Sequence, residues 1–125
     1  MSQAVQIQTS IPMRLDTTTP LAAGGVFISP GWDFGDTSLF PTFVWSRSSA
    51  RELVVAINAS HASAANGAAI QADFSGNWRD VVVGTVAAGV PLILRAPVVW
   101  RNYRIVLTNG ATAQTHLAIA SAAHN

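Results

Sequence analysis

Residues 33–36, DFGD, set two carboxylates three positions apart beside an aromatic and a glycine. Two carboxylates in a loop could contribute to a Ca²⁺ site, because Ca²⁺ gathers oxygen ligands. A calcium loop needs many more oxygen donors than this stretch carries, so a turn with Asp side chains bonded to nearby backbone N–H groups is expected instead. The Asp-Phe-Gly triplet also occurs in protein kinases, but a kinase needs a lysine and a far longer chain. Asp73 and Asp80 flank a short reversal and could face each other as an acid pair. Cross-strand or turn pairing with Arg79 is the simpler expectation. His61, His116 and His124 are too far apart to form a local metal motif. His116 alternates with Leu117 and is expected to face solvent or an interface.

Other chemistry is excluded by composition. The chain has no Cys and no Lys, and its seven basic residues are all Arg. Thiolate metal sites, disulfides, thiol nucleophiles, P-loops, Schiff bases and Ser-Lys dyads therefore cannot be built. Glu52 is the only glutamate and sits beside Arg51. There is no Gly-x-Ser-x-Gly elbow and no His-Glu-x-x-His. Asn58-Ala59-Ser60 matches a glycosylation sequon, read as chance because no secretory leader is visible. No catalytic residue, cofactor or metal is expected.

Aromatics and arginines remain. Residues 100–110, WRNYRIVLTNG, crowd two Arg and two aromatics into five positions. As one strand, its parity puts Arg101, Tyr103, Ile105 and Leu107 on one face and Trp100, Asn102, Arg104 and Val106 on the other. Tyr103, Ile105 and Leu107 are the core-facing set; Trp100 and Arg104 point outward. Of Trp32, Trp45, Trp78 and Trp100, one or two are expected at a surface, where tryptophan anchors contacts. The candidate interface residues are Trp32, Trp45, Trp100, Arg104, Arg14 and Leu21.

The elements that must position them have the period of strands. Runs at 4–8, 26–28, 40–46, 53–58, 69–74, 78–86, 90–94, 98–108 and 114–120 are separated by Gly, Pro, Asn and Ser. Asn66-Gly67, Asn109-Gly110 and Ser75-Gly76-Asn77 read as hairpin turns, and Gly89 with Pro91 as a further reversal. Residues 59–69 read as a loop. Eight or nine strands in one layer would leave an apolar face bare. An all-β fold is expected, an antiparallel two-sheet β-sandwich of jelly-roll type. The 125 residues suit one domain, with an N-terminal arm and first strands at 1–30 and the sandwich core at 31–125. Residues 17–25 read either as an arm lying on a neighbouring subunit or as an ordinary edge strand and loop.

Half the residues are hydrophobic and only 10% are charged, against about 25% in an average domain. Such a surface favours assembly over a free monomer. A net charge of +1 argues against nucleic acid, and no stretch is long and apolar enough for a transmembrane helix.

Residues 69–78, AIQADFSGNW, read as a strand and a hairpin of the form S-x-D-G-x-N-W. A Val-rich strand, a Gly-containing reversal and Arg101-Asn102-Tyr103-Arg104-Ile105 follow. This order resembles the G-x-N-W … R-Y-V-R-I pattern of discoidin-like, galactose-binding-type jelly rolls. It is also similar to small β-sandwich proteins of tailed-phage virions, whose final hairpin reads R-Y-V-R-V-x-x-x-N-G-A-x-A-Q-T. Residues 104–115, RIVLTNGATAQT, are close to that pattern, and VQIQTSIPMRLDTTTPLAAGG has the same character. The resemblance covers about residues 50–120. Ser75 stands where Asp is usual, and Asn102 separates Arg101 from Tyr103. The sugar-binding loops of discoidin-like modules have no match, so carbohydrate binding is not carried over.

The resemblance implies a non-enzymatic virion protein of a tailed phage, made in the host cytoplasm, as a capsid decoration (cement) or head-spike component. Its expected partners are further copies of itself, a trimer included, and a major capsid or other virion protein, with neither nucleic acid nor membrane. The second reading is a carbohydrate- or receptor-binding module of a tail fibre, baseplate or cell surface, with a glycan as ligand.

Overall fold

Alternation in NYRIVLTN buries Tyr103, Ile105, Leu107 and Asn109 on one side and turns Asn102, Arg104, Val106 and Thr108 to the other. The same rule of two organises the other strands. The computed structural model describes residues 13–34 and 52–124. Among the described residues are nine strands: β1 (Arg14–Thr17), β2 (Val26–Ile28), β3 (Trp32–Asp33), β4 (Glu52–Ala59), β5 (Ser63–Phe74), β6 (Asn77–Gly84), β7 (Leu92–Pro97), β8 (Asn102–Asn109) and β9 (Leu117–His124).

They form two antiparallel sheets. One has the order β1-β9-β4-β7; the other has β2-β8-β5-β6, with β3 also on β8. The pairs β1·β9, β2·β8, β4·β7 and β5·β6 nest one inside the next, and the two sheets form a β-sandwich. Leu53, Val55 and Ile57 of β4 and Leu117 and Ile119 of β9 pack against Ile70 of β5 and Tyr103, Ile105 and Leu107 of β8. Trp32 and Phe34 close this core, stacked at 5.8 Å, with Phe34 edge-on to Tyr103 at 5.5 Å.

The Ser75–Gly76 hairpin is as expected. Both residues have positive φ, 57° and 90°, so β5 and β6 are joined by a two-residue loop with the twist that hairpins favour. The two Asn-Gly expectations are corrected. Asn66 has a φ of 53°, but it lies inside β5, where the register slips between Ser63 and Ala68. It makes an irregularity rather than a reversal, and residues 63–69 belong to the strand. Gly67 is required there because a Cβ would stand 2.5 Å from the Thr108 carbonyl oxygen. Asn109 ends β8 without a positive φ, and the chain crosses from there to β9 in the other sheet. Its buried amide explains this: Nδ2 donates to the carbonyls of Leu21, Ala22 and Thr112 at 3.2, 2.9 and 3.0 Å.

Residues 17–25 lead from β1 into β2. β1 pairs with β9, β2 with β8, and Gly24 N–H donates to Gly110 O at 2.9 Å within the same chain. The expected strands at 4–8 and 40–46 lie outside the described residues.

Candidate interface on the outer sheet faces

Parity that sends the core residues inward sends their neighbours outward, and here those neighbours are also apolar. On the first sheet, Leu15 lies opposite Ala120, Ala120 opposite Ala56, and Ala56 opposite Ile93. One uninterrupted apolar row therefore crosses β1, β9, β4 and β7. Its ends stand out, with Leu15 59% and Ile93 49% exposed. Val54 and Ala122 pair beside the row. A shallow depression of about 130 Å³ is lined by Ala56, Asn58, Pro91, Ala118 and Ala120. Charge sits at one end of this face, where Arg95 Nη1 meets Glu52 Oε1 at 3.0 Å.

The opposite sheet repeats the device. Ile28 pairs with Val106, Val106 with Ala69, and Ala69 with Val83, so a second row crosses β2, β8, β5 and β6. Next to it runs a polar row, in which Arg104 Nε donates to Gln71 Oε1 at 2.8 Å and Gln71 Nε2 to Asp80 Oδ1 at 2.9 Å. An antiparallel sheet facing water normally alternates polar residues outward. Contiguous apolar rows on an outer face mark surfaces suited to being covered.

The structure separates the candidate interface residues. Trp32 is corrected from surface to core: it is 3% exposed, because its Nε1 donates to Ser121 and the Arg14 guanidinium lies over its ring at 4.4 Å. Arg14 is thus a lid on Trp32, held also by the carbonyls of Gly31 and Pro30 at 3.0 Å each. Leu21 is half-buried against the core. Arg104 points outward as expected, with its guanidinium 4.3 Å from the Trp78 ring centre. Trp100 is not on the same strand face. β8 begins at Asn102, so Trp100 lies in the preceding connection, 47% exposed and tilted against Phe74 at 4.4 Å. The same late start frees Arg101 from the inward face, and it pairs with Asp33 at 2.9 Å. Trp45 lies outside the described residues.

The candidate catalytic groups have structural work. Asp73 accepts from Gly76 N–H at 2.7 Å, and Asp80 from Gln71, in place of the expected pairing with Arg79. Ser60 Oγ lies 3.0 Å from His61 Nδ1, which resembles a nucleophile and base. That oxygen, however, accepts from the amides of Thr115 and His116 at 2.8 and 3.1 Å and donates to Gln114 Oε1, so it pins the connection into β9. The carboxylate of Asp33 meets Arg101, and Asp36 lies outside the described residues. Among the described residues, His, Asp and Glu form no cluster of three suited to a metal.

The apolar rows were missed by residue-type reasoning, yet a signal existed. LVVAI in β4 and AIASAA in β9 are apolar or small on both parities, which a half-exposed strand does not need.

The fold defines an all-β, antiparallel two-sheet β-sandwich. The family model described as "Uncharacterised protein YqxG N-terminal domain" matches residues 1–124, and the chain belongs to this family. Among solved structures it is similar to PBSX exported protein XepA, with a TM-score of 0.73 and 17% sequence identity. The match covers 99% of this chain and 39% of that one, so the chain spans well under half of XepA. At this identity the likeness is one of fold. No curated protein matches.

Proposed function

We propose that the chain is a non-enzymatic structural component of a phage or phage-related particle, built in through the outer faces of its sheets. In its finer form the proposal is a capsid decoration (cement) or head-spike protein. The observation that carries it is the pair of apolar rows on opposite faces of one sandwich, Leu15–Ala120–Ala56–Ile93 and Ile28–Val106–Ala69–Val83. A rigid block with two such faces can bridge neighbours by burying apolar surface on each side. The resemblance of residues 50–120 to phage virion sandwiches and the fold shared with an exported PBSX protein support the setting. Membership of a family named for an N-terminal domain fits a module that works beside others.

The glycan-binding reading has less to stand on. Trp32 is buried and one face of Trp78 carries the Arg104 guanidinium, which leaves Trp100 as the exposed indole among the described residues. Mass spectrometry of purified particles from the producing strain tests the proposal. The expected result is the chain at a fixed, near-stoichiometric ratio to the main shell or tail protein. Its absence from particles, together with a monomeric soluble form, would overturn it.

A further inference from the structure

The chain holds two Asn-Gly pairs, Asn66-Gly67 and Asn109-Gly110, and the fold treats them in opposite ways. In such a pair no side chain shields the glycine nitrogen, which can attack the asparagine side chain. We propose that Asn66 is a self-modification site, at which the native protein converts its own asparagine to aspartate and isoaspartate, while Asn109 is held inert. The Gly67 backbone nitrogen gives its proton to water and bonds to Asn66 Cγ. The Cγ–Nδ2 bond breaks, and Nδ2 takes up a proton and leaves as ammonia. Water then opens the five-membered succinimide at either carbonyl, giving aspartate or isoaspartate at position 66; nothing is oxidised or reduced.

Three observations favour Asn66. It is exposed, and among the described residues its carboxamide has no hydrogen-bond partner; the bond that holds Asn66 runs from its backbone N–H to Thr85 Oγ1 at 2.8 Å. That anchor lies on the N-terminal side of the residue, whereas the bond that turns to close the ring lies on the other, between Cα and the carbonyl carbon. Pairing of β5 with β8 skips from Ser63 to Ala68, and pairing with β6 begins at Ala68. Residues 64–67 therefore have no ladder partner among the described residues, and no ladder bond opposes the turn. The fold also keeps the reactive pair in place. A φ of 53° at position 66 favours Asn, and a Cβ at position 67 would stand 2.5 Å from the Thr108 carbonyl oxygen.

Asn109 has the same neighbour and the opposite surroundings. It is 2% exposed and pairs with Ser63 in the β8·β5 ladder. Its Nδ2 donates to the carbonyls of Leu21, Ala22 and Thr112, and its Oδ1 accepts from Gln114 Nε2. Attack on its Cγ must first break these bonds, which lowers the reactive population at least about a hundredfold. Conversion at position 66 adds one carboxylate and takes the formal net charge from +1 to zero. Isoaspartate also lengthens the backbone by a carbon within the irregular stretch of β5. Asn66 belongs to neither apolar row, so its conversion is independent of the assembly reading.

The test ages the full native chain at mildly alkaline pH and follows it by isoelectric focusing and peptide mass mapping, with isoaspartate scored by isoaspartyl methyltransferase labelling. A more acidic form should accumulate, its mass change confined to the peptide that holds residue 66, at a rate at least about a hundredfold above that at residue 109. In guanidinium chloride, which removes the protection of Asn109, the two sites should convert at similar rates. Asn66→Gly, which accommodates the positive φ and lacks the amide, should keep a single charge form over the same period. A native chain in which Asn66 converts no faster than Asn109, or in which neither converts until the protein is unfolded, would overturn the proposal. An acidic form that persists in Asn66→Gly would do so as well, by placing the modification elsewhere.

Discussion

Trp32 Nε1 donates to Ser121 Oγ at 2.9 Å, tying the sheet that holds β3 to the sheet that holds β9. Ser121 Oγ in turn donates to Asp16 Oδ2 at 2.7 Å, and Arg14 Nε closes the chain on Asp16 Oδ1 at 2.6 Å. Ser121 is 2% exposed, so water cannot readily replace it. Ser121→Ala leaves the indole N–H and one carboxylate oxygen without this partner. The expected cost is about 1–3 kcal/mol of stability, read from urea unfolding with an unchanged slope. A midpoint equal to that of wild type would show that the bridge contributes nothing net.

Tyr103 fixes the connection that carries Trp100. Its hydroxyl donates to Pro97 O at 2.8 Å and accepts from the amides of Val99 and Trp100 at 3.0 and 3.2 Å. Tyr103→Phe removes all of these bonds at nearly constant volume. It should destabilise by about 1–3 kcal/mol and increase quenching of tryptophan fluorescence by acrylamide. Lost stability without increased quenching would mean that residues 98–101 keep their shape for another reason.

Asn109→Asp is nearly isosteric but replaces a donor with an oxygen aimed at the carbonyls of Leu21, Ala22 and Thr112. Gln114 Nε2, which donates to Asn109 Oδ1 at 2.7 Å, cannot compensate for that loss. A cost above about 3 kcal/mol is expected, since a buried charge would face acceptors. Near-wild-type unfolding would contradict the reading of Asn109 as the clamp on residues 21–22.

Much of the sandwich was legible because period-two burial is a local property of sequence. Tyr103, Ile105 and Leu107 could be assigned to the core from parity alone. Asn66 and Asn109 could not, because the same dipeptide serves a hairpin, a strand irregularity or a crossing between sheets. Which use applies depends on partners, such as the Thr108 carbonyl over Gly67, that are remote in sequence. The outer faces had the weakest signal. An Ala or Val at an outward position is unremarkable singly, and it becomes a row only when the register of four strands is known.

Ser75 adopts a φ of 57° at a position where a Cβ is disfavoured. Ser75→Gly should therefore stabilise the β5–β6 hairpin, or at least be neutral, by up to about 1 kcal/mol in thermal or urea unfolding. Gly76, at 90°, should respond oppositely, Gly76→Ala costing about 1 kcal/mol or more. Equal effects of both substitutions would show that the positive φ values do not limit this turn.

The most direct measurement is the native mass of the purified chain by light scattering, compared with an Ile93→Glu, Val83→Glu double variant that charges both outer rows. Self-association through these faces requires wild type to rise with concentration to a multiple of the one-chain mass, while the folded double variant remains at one chain. One-chain mass for both proteins across the whole range would contradict it.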